Sequence, residues 1–450
     1  MKNSSSLINF VKRVIMMLLI VNTSTSLYAN TKSKKLSLDE LKSIAVEQSP
    51  YLSGQKSAIA ETEAEVAVAK SAALPTVSLE SRYSRYYNPT QATVFTPNGL
   101  VAADIKKKYG LESSLTISQV VYTFGKIKGA LAAAEAATRL SANSYVNAEV
   151  DLELNVAKAY YGVLLAENTE SILQDSLNNA RSNKKIFRRR FRSGRVPQGD
   201  LLRLERDIVS RKPNVDSALQ QKQKSYQSLK MLVGFPYTSD LKLSGSLTPF
   251  GSLPPKNKAI DQLMKYSPSI KMASDYVKIQ KEAYGIQRAS RWPDIGAFAS
   301  KAMSWEDNEI DFSTDQARNS FDVIGLSISM DIYQGGAKKA EIGASMARMR
   351  KAEFQLQDTG DKIRLQLEHK YAEYYSLKQQ YESNLKFLKL AESTFNMTRK
   401  RFKVGQTSIA ELNDTESLLT QAKLQIQETM YKIQITRSEV FHLIGVKEAV

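Results

Sequence analysis

The residues of this 450-residue chain best placed to do chemistry are two acids and a run of cations. Glu411 and Asp414 follow Gly405 by six and nine residues, and a spacing of three sets both carboxylates on one face of a helix. Paired acids there either gather cations or complement the positive end of the helix dipole. Lys184, Lys185, Arg188, Arg189, Arg190, Arg192 and Arg195 put seven cations into twelve residues, and Arg399, Lys400, Arg401 and Lys403 form a second group. The dipole of a helix C-terminus accounts for roughly two or three such charges; the rest point to an acidic partner. The chain has no cysteine, and His369 and His442 stand 73 residues apart without metal-ligand spacing. Disulfides, a lipidated cysteine, metal catalysis and an activated nucleophile have almost nothing to work with, and no cofactor is expected.

The elements that carry these residues are long helices. From Leu152 a 4-3 spacing runs through Val156, Ala159, Val163, Ala166, Glu170, Leu173, Leu177, Ala180, Lys184, Phe187 and Phe191, with ten of the twelve positions apolar. The same register 211 residues on gives Ile363, Leu367, Lys370, Tyr374, Leu377, Tyr381, Asn384, Leu388, Ala391, Phe395, Thr398 and Phe402, with nine apolar. A seam of period 3.5 packs as a coiled coil, and a helix over Lys126–Arg192 is ~100 Å long at 1.5 Å per residue. Such helices pack on one another as a tube or rod.

The offset of 211 runs through the chain. Phe191-Arg-Ser-Gly194 recurs as Phe402-Lys-Val-Gly405, Leu232-Val-Gly234 as Leu443-Ile-Gly445, Tyr122-Thr-Phe-Gly125 as Tyr333-Gln-Gly-Gly336, and Tyr160 as Tyr371. Upstream the offset is 218, from Ser49-Pro50 to Ser267-Pro268 and from Leu74-Pro75 to Trp292-Pro293. This is a duplication, with repeat 1 over 36–250 and repeat 2 over 251–446. Each half reads as a helix (38–73; 256–291) with a proline near its start, a β-hairpin (about 76–122; about 294–333), a very long helix, a glycine turn and a returning helix.

Strands alternate with period 2: Val77, Leu79, Ser81 and Tyr83; Leu111, Ser113, Leu115 and Ile117; Ile324, Leu326, Ile328, Met330 and Ile332. A third strand after Pro293 is weaker, with Ile295, Ala297 and Ala299 as its best face. One apolar and one small polar face fits a lipid-facing barrel strand and equally an ordinary half-buried antiparallel sheet. Residues 86–108 and 304–319 read as long polar loops.

The N-terminus carries an export address. Lys2, Lys12 and Arg13 precede the apolar run Val14–Val21, and Ala29 suits a signal-peptidase site. Eight apolar residues are too few for a spanning helix, which needs about 20; residues 1–29 are expected to be removed, leaving 30–450. The net charge of +17 then becomes +14, by loss of those three cations. Export argues against nucleic acid as the basic chain's partner. No later stretch is apolar enough to span a membrane as a helix. The mature chain is therefore periplasmic, secreted, or inserted as a β-barrel.

Three ordered motifs carry a family resemblance: Ser329-Met-Asp-Ile-Tyr-Gln-Gly-Gly-Ala-Lys-Lys-Ala-Glu-Ile342 with its partner Ser118-Gln-Val-Val-Tyr-Thr-Phe-Gly-Lys-Ile127; Arg401-Phe-Lys-Val-Gly405 followed by Glu411-Leu-Asn-Asp414; and the duplication with proline-bounded helix ends. Over residues 36–446 the chain resembles the TolC-like outer-membrane efflux and secretion channels. The resemblance implies an α+β protomer, mainly long α-helices, of a homotrimer. Its 12-strand outer-membrane β-barrel continues into a 12-helix periplasmic α-barrel. It implies an exit duct for drugs or proteins in a tripartite efflux pump or type I secretion system, contacting outer-membrane lipid, a periplasmic adaptor (membrane fusion) protein and an inner-membrane pump or ABC transporter. The implied pore constriction comprises Glu411, Asp414 and Asp200. The implied adaptor-docking tips comprise Arg192, Gly194, Arg195, Lys403, Gly405 and Gln406. The family closes through an Arg two residues after the second tip glycine and a Tyr three before it, held against an Asp on the first hairpin. Asp200 is present, but the other positions are Thr407 and Phe402, so closure is expected to rest on different contacts. The alternative from another class is a periplasmic coiled-coil adaptor or scaffold without its own pore.

Overall fold

The computed structural model describes residues 35–87, 91–97, 99–104, 107–194, 196–249, 251–310 and 318–446. The expected signal peptide, 1–29, and the tip residue Arg195 lie outside them. The helices are α1 Leu38–Gln48, α2 Pro50–Ser71, α3 Lys126–Arg192, α4 Gln198–Val233, α5 Lys256–Tyr266, α6 Pro268–Ala289, α7 Ala337–Lys403 and α8 Ile409–Ile444. The strands are β1 Lys35–Leu36, β2 Thr76–Arg85, β3 Gln91–Thr96, β4 Gly99–Asp104, β5 Tyr109–Tyr122, β6 Lys242–Leu243, β7 Asp294–Asp307 and β8 Arg318–Ser329. The duplication holds at the level of helix ends: 126 recurs as 337, 192 as 403, 198 as 409 and 233 as 444, each 211 residues on.

Local sequence explains the boundaries. Ser37 and Glu40 form a capping box: the Glu40 amide donates to Ser37 Oγ at 3.3 Å and the Ser37 amide to Glu40 Oε2 at 2.8 Å. The single early helix expected in each half is instead two, broken at Ser49 and Ser267. The residue before a proline is pushed out of the helical region, here to ψ 117° and 120°, and the proline then starts a new helix at a position that needs no N–H. At the end of α8, Gly445 has φ +65°, and a Cβ there would meet the Tyr266 carbonyl oxygen at 2.8 Å, so only glycine fits.

The chain divides into two compact units, and each draws on both halves of the duplication. The first comprises 1–49, 151–253 and 370–440. Its core follows the expected seam: all ten seam positions from Lys370 to Phe402 are buried or half-buried. Val156, Val163, Leu229 and Val233 pack with Leu41 and Leu247, and Phe187, Leu204, Phe395, Phe402 and Leu412 form a second cluster. The segment joining the two repeats is strapped down. β6 pairs in parallel with β1, Gln434 Nε2 donates to the Thr248 carbonyl at 2.6 Å, and the Tyr160 and Tyr374 hydroxyls donate to the carbonyls of Ser244 and Gly251.

The second unit comprises 50–150, 254–369 and 441–450 and holds an antiparallel sheet of order β2-β5-β7-β8. The weakly patterned third strand, β7, lies inside this sheet and runs to Asp307. The fourth stops at Ser329, short of the expected Ile332. Residues 304–307 and 318–319, read as loop, continue the β7–β8 strands, with Trp305 opposite Arg318. The expected unstructured loop 86–108 contains its own hairpin, β3–β4, closed where Thr96 pairs with Gly99. The β7–β8 pairing depends on neighbours distant in sequence, which local alternation does not report, whereas β3–β4 is a local hairpin whose signal, Val94-Phe95 and Leu100-Val101 flanking Pro97-Asn98-Gly99, a polar-loop reading passes over. Beneath the sheet, buried Asp275 accepts from Asn143 Nδ2 at 2.7 Å and from Lys278 Nζ at 2.9 Å, tying α6 to α3.

Two charged residues interrupt the apolar seams of the first unit. Arg211 follows Leu204 and Ile208 on α4, and Glu416 follows Ile409 and Leu412 on α8. They pair at 3.1 Å, with Glu416 only 2% exposed; Arg211 also reaches Asp207 Oδ2 at 2.9 Å and donates to Ser176 Oγ at 2.6 Å. Burial pushes the Glu416 carboxyl above its ordinary value near 4.5, opposed by the Arg211 guanidinium. Arg211→Met alone leaves a buried carboxylate unpaired and should cost about 3–5 kcal/mol, while adding Glu416→Leu should recover most of it, both read as thermal midpoints. Because the folded pKa lies above the unfolded one, the wild type should lose stability relative to Glu416→Gln as pH rises from about 4.5 through the raised value, and match it at lower pH.

Candidate functional site

The sheet of the second unit presents two chemically different faces. Register places Val77, Ile117, Ala299 and Ile324 in one cross-strand row and Leu79, Leu115, Lys301 and Asp322 in the next. Leu326 and Ile328 continue this face. It is apolar and open to its surroundings: Leu79 is 74% and Ile324 85% exposed. The one charged pair, Lys301–Asp322, is self-neutralising at 3.6 Å. The opposite face carries Ser78, Glu80, Arg82, Glu112, Thr116 and Ser300, with Thr76 and Ser118 hydroxyls 2.7 Å apart and those of Thr116 and Ser300 3.0 Å apart, while β7 and β8 add Phe298, Phe321 and Val323 to it. Aromatic rings mark the ends of the apolar face. Tyr83 stacks near Tyr109 at one, and Tyr122 meets Phe124 at the other. Among the described residues, β2 and β8 each pair on one side only.

The other candidate region, in the first unit, is the pair of helix turns. Gly194 and Gly405 both take left-handed φ, +67° and +83°. After α7 the Gly405 amide donates to the Phe402 carbonyl at 3.1 Å and the Gln406 amide to the Arg401 carbonyl at 2.9 Å, the paired bonds of a Schellman cap. Arg192 and Lys403 are the last residues of α3 and α7. Glu411 lies in the first turn of α8; its amide donates to Ser408 Oγ at 3.2 Å, its carboxylate accepts from the Thr407 hydroxyl, and Arg401 stands 3.8 Å away. Asp414 is exposed one turn on. Asp200, at the start of α4, pairs with Arg203 of its own helix at 3.7 Å, and not with Thr407 or Phe402. The structure thus brings Thr407, Arg401 and Glu411 together and gives Asp200 a local partner.

The cations of the tips divide by use. Lys184 pairs with Glu205 at 2.9 Å and holds that carboxyl below its ordinary value. Arg190 donates to the carbonyls of Phe402 at 3.1 Å and Lys403 at 2.6 Å, closing the end of α7 from the neighbouring hairpin. Its guanidinium also lies over the Phe402 ring, which stacks on Phe187 with centroids 5.2 Å apart. Lys185, Arg188, Arg189, Arg192, Arg399, Lys400 and Lys403 are exposed. Arg190's role was not foreseen, because it depends on which helix end lies beside it. The Arg211–Glu416 pair had a signal in the sequence: both interrupt otherwise apolar seams. The repeats differ here, since Phe402 is 1% exposed and its counterpart Phe191 is 37%.

Comparison with known proteins agrees with the fold. The chain is similar to the fusaric acid resistance protein FusA of Burkholderia cepacia, 25% identical over 67% of this chain and 56% of that protein. It is also similar to the alkaline protease secretion protein AprF of Pseudomonas aeruginosa, 22% identical over 65% and 61%. The chain therefore covers less than two thirds of either relative's length. Among solved structures it shares its fold with the outer membrane protein VceC of Vibrio cholerae (TM-score 0.76, 14% identity, covering 92% of this chain and 97% of that one). The Campylobacter jejuni CmeC outer membrane channel gives TM-score 0.75 at 14% identity, covering 93% and 90%. The coiled-coil adaptor alternative finds no support in these matches. The model of the outer membrane efflux protein family matches residues 41–235 and 259–446, and the chain belongs to that family.

Proposed function

We propose that this protein is the outer-membrane exit duct of an export assembly, acting as a homotrimer. The observation that carries the reading is the sheet: a largely apolar face, an opposite face that is polar across β2 and β5, and two outer strands that each pair on one side only among the described residues. Lipid offers no hydrogen bonds to such edges, so the sheet needs copies to close it. Three copies give twelve strands and leave a lumen lined by the polar face. The repeats over 36–250 and 251–446 would then each supply a hairpin to the barrel and a coiled coil to a periplasmic tube. Residues 1–29 act as the export signal.

The basic helix turns fit docking of a periplasmic adaptor (membrane fusion) protein with an acidic tip, at Arg192, Gly194, Arg195, Lys403, Gly405 and Gln406, with an inner-membrane pump or ABC transporter driving transport. One relative is named for resistance to a small acid and another for protease secretion. A passive duct accommodates either cargo class, the drive residing in the pump. Glu411, Asp414 and Asp200 form the proposed constriction; threefold symmetry would stack Glu411 and Asp414 as two rings of three carboxylates, favouring cations.

Fractionation should place the full chain in the outer membrane as a heat-modifiable trimer; a wash-soluble monomer overturns the reading. In planar bilayers, Glu411→Ala with Asp414→Ala should abolish cation selectivity and block by multivalent cations while leaving the trimer intact. Unchanged selectivity assigns these acids to the helix dipole instead. Arg188→Glu with Arg189→Glu should abolish export without loss of trimer, whereas Arg190→Glu should also lower stability, because Arg190 caps α7. Wild-type export by the first double variant removes the acidic-partner proposal.

A further inference from the structure

At the Tyr122 end of the sheet's apolar face, α6 and the turn between β5 and α3 line a cleft of about 360 Å3. One wall is aromatic: the Phe124 ring stacks on Trp292 with centroids 5.4 Å apart, and Trp292 is itself 57% exposed. Phe124 adopts φ +53°, the one described non-glycine residue with a positive φ. That conformation is disfavoured for a bulky side chain, so the turn holds this ring in place at some cost. The Lys126–Asp294 ion pair, at 2.8 Å, secures the turn against the start of β7. The other wall is α6, where Lys281, Gly285 and Arg288 line the cleft and lie on one exposed stripe. Neither cation has an ion-pair partner among the described residues. Gly285 has no packing reason to lack a side chain, since a Cβ there meets nothing within 4 Å, and glycine inside a helix is unfavourable.

The geometry points to a binding site for the headgroup of an anionic glycerophospholipid in the membrane leaflet that faces the periplasm. This rests on the outer-membrane reading and extends it. Trp292 and Phe124 sit where aromatic rings settle, at the boundary between hydrocarbon and headgroups. The apolar rows of the sheet begin directly above, with Ile295 and Ile328 opposite each other, and offer a wall for acyl chains. Arg288, one helical turn below Trp292, is placed to take a phosphodiester, and Lys281, two turns further, a second phosphate or a glycerol hydroxyl. Gly285 leaves the floor between them free for the headgroup. Glu282 also lines the cleft, but the two cations outweigh it. β7 is paired on both sides within the chain, so the helix leading into it is not at the edge where another copy would join.

The test is native mass spectrometry of the full-length trimer extracted from its membrane and offered phosphatidylglycerol, cardiolipin or phosphatidylethanolamine. The wild type should retain phosphatidylglycerol or cardiolipin in preference to phosphatidylethanolamine. Lys281→Gln with Arg288→Gln should lower that retention on the order of tenfold. Gly285→Leu, which changes no charge and enters open space, should do the same by filling the cleft. Equal retention of all three lipids by the wild type, or undiminished retention in both variants, overturns the site. Trimer assembly and membrane fractionation are scored on the same preparations. A trimer in the outer membrane without lipid preference counts against this inference alone, and a soluble monomer counts against the functional reading beneath it.

Discussion

An apolar seam repeating every 3.5 residues governs the first unit. It sets the length of α3 and α7, brings α4 and α8 back along them, and decides which side chains lose water. Where it is apolar it yields clusters such as Phe187–Phe402–Leu412. Where Arg211 and Glu416 interrupt it, the two charges face each other across helices of different repeats at 3.1 Å. Desolvation makes that pair costly to separate, and well-packed apolar side chains would hold the helices as firmly. What the pair adds is register: a carboxylate 2% exposed tolerates no slip along the seam.

Long-period features were readable from residues alone. Both 67-residue helices, the returning helices and the glycine turns emerged from the seam and from the 211-residue offset, because helix periodicity is local and accumulates over many turns. The sheet was only partly readable. Alternation located β2, β5 and β8, but β7 has small residues on both faces (Gly296, Ala297, Ala299) and its place inside the sheet follows from pairing with β5 and β8. Hairpin β3–β4 had a local signal, Val94-Phe95 and Leu100-Val101 about Pro97-Asn98-Gly99, but it is flanked by polar stretches that read as one loop. At the tips, sequence offered the acids and cations but not their partners. That Arg190 caps α7 while Arg401 stands by Glu411 depends on which helix ends lie side by side.

The two tips are not copies of each other in energetic terms. Phe402 is enclosed by Phe187 and Arg190, whereas Phe191, at the equivalent position, stays more than a third exposed. The second turn carries the Schellman cap with Glu411 beside it, and the first carries Asp200 paired locally to Arg203. Opening at such a place would begin at whichever contacts are least enclosed, and Arg190 couples the fate of one turn to the other.

The strapped segment between the repeats has an evolutionary corollary. A half-length ancestor carrying one hairpin and one coiled coil would need six identical copies to assemble the twelve strands proposed for three copies of this chain, and every copy would stand in the same environment. Fusing two halves lets them diverge. Tyr160, Gln434 and Tyr374 fasten Ser244, Thr248 and Gly251 to helices of both halves, which turns the connecting peptide into a marker of which half is which. In the proposed homotrimer, two diverged halves per chain would let alternate positions specialise, one for enclosure and the other for exposure.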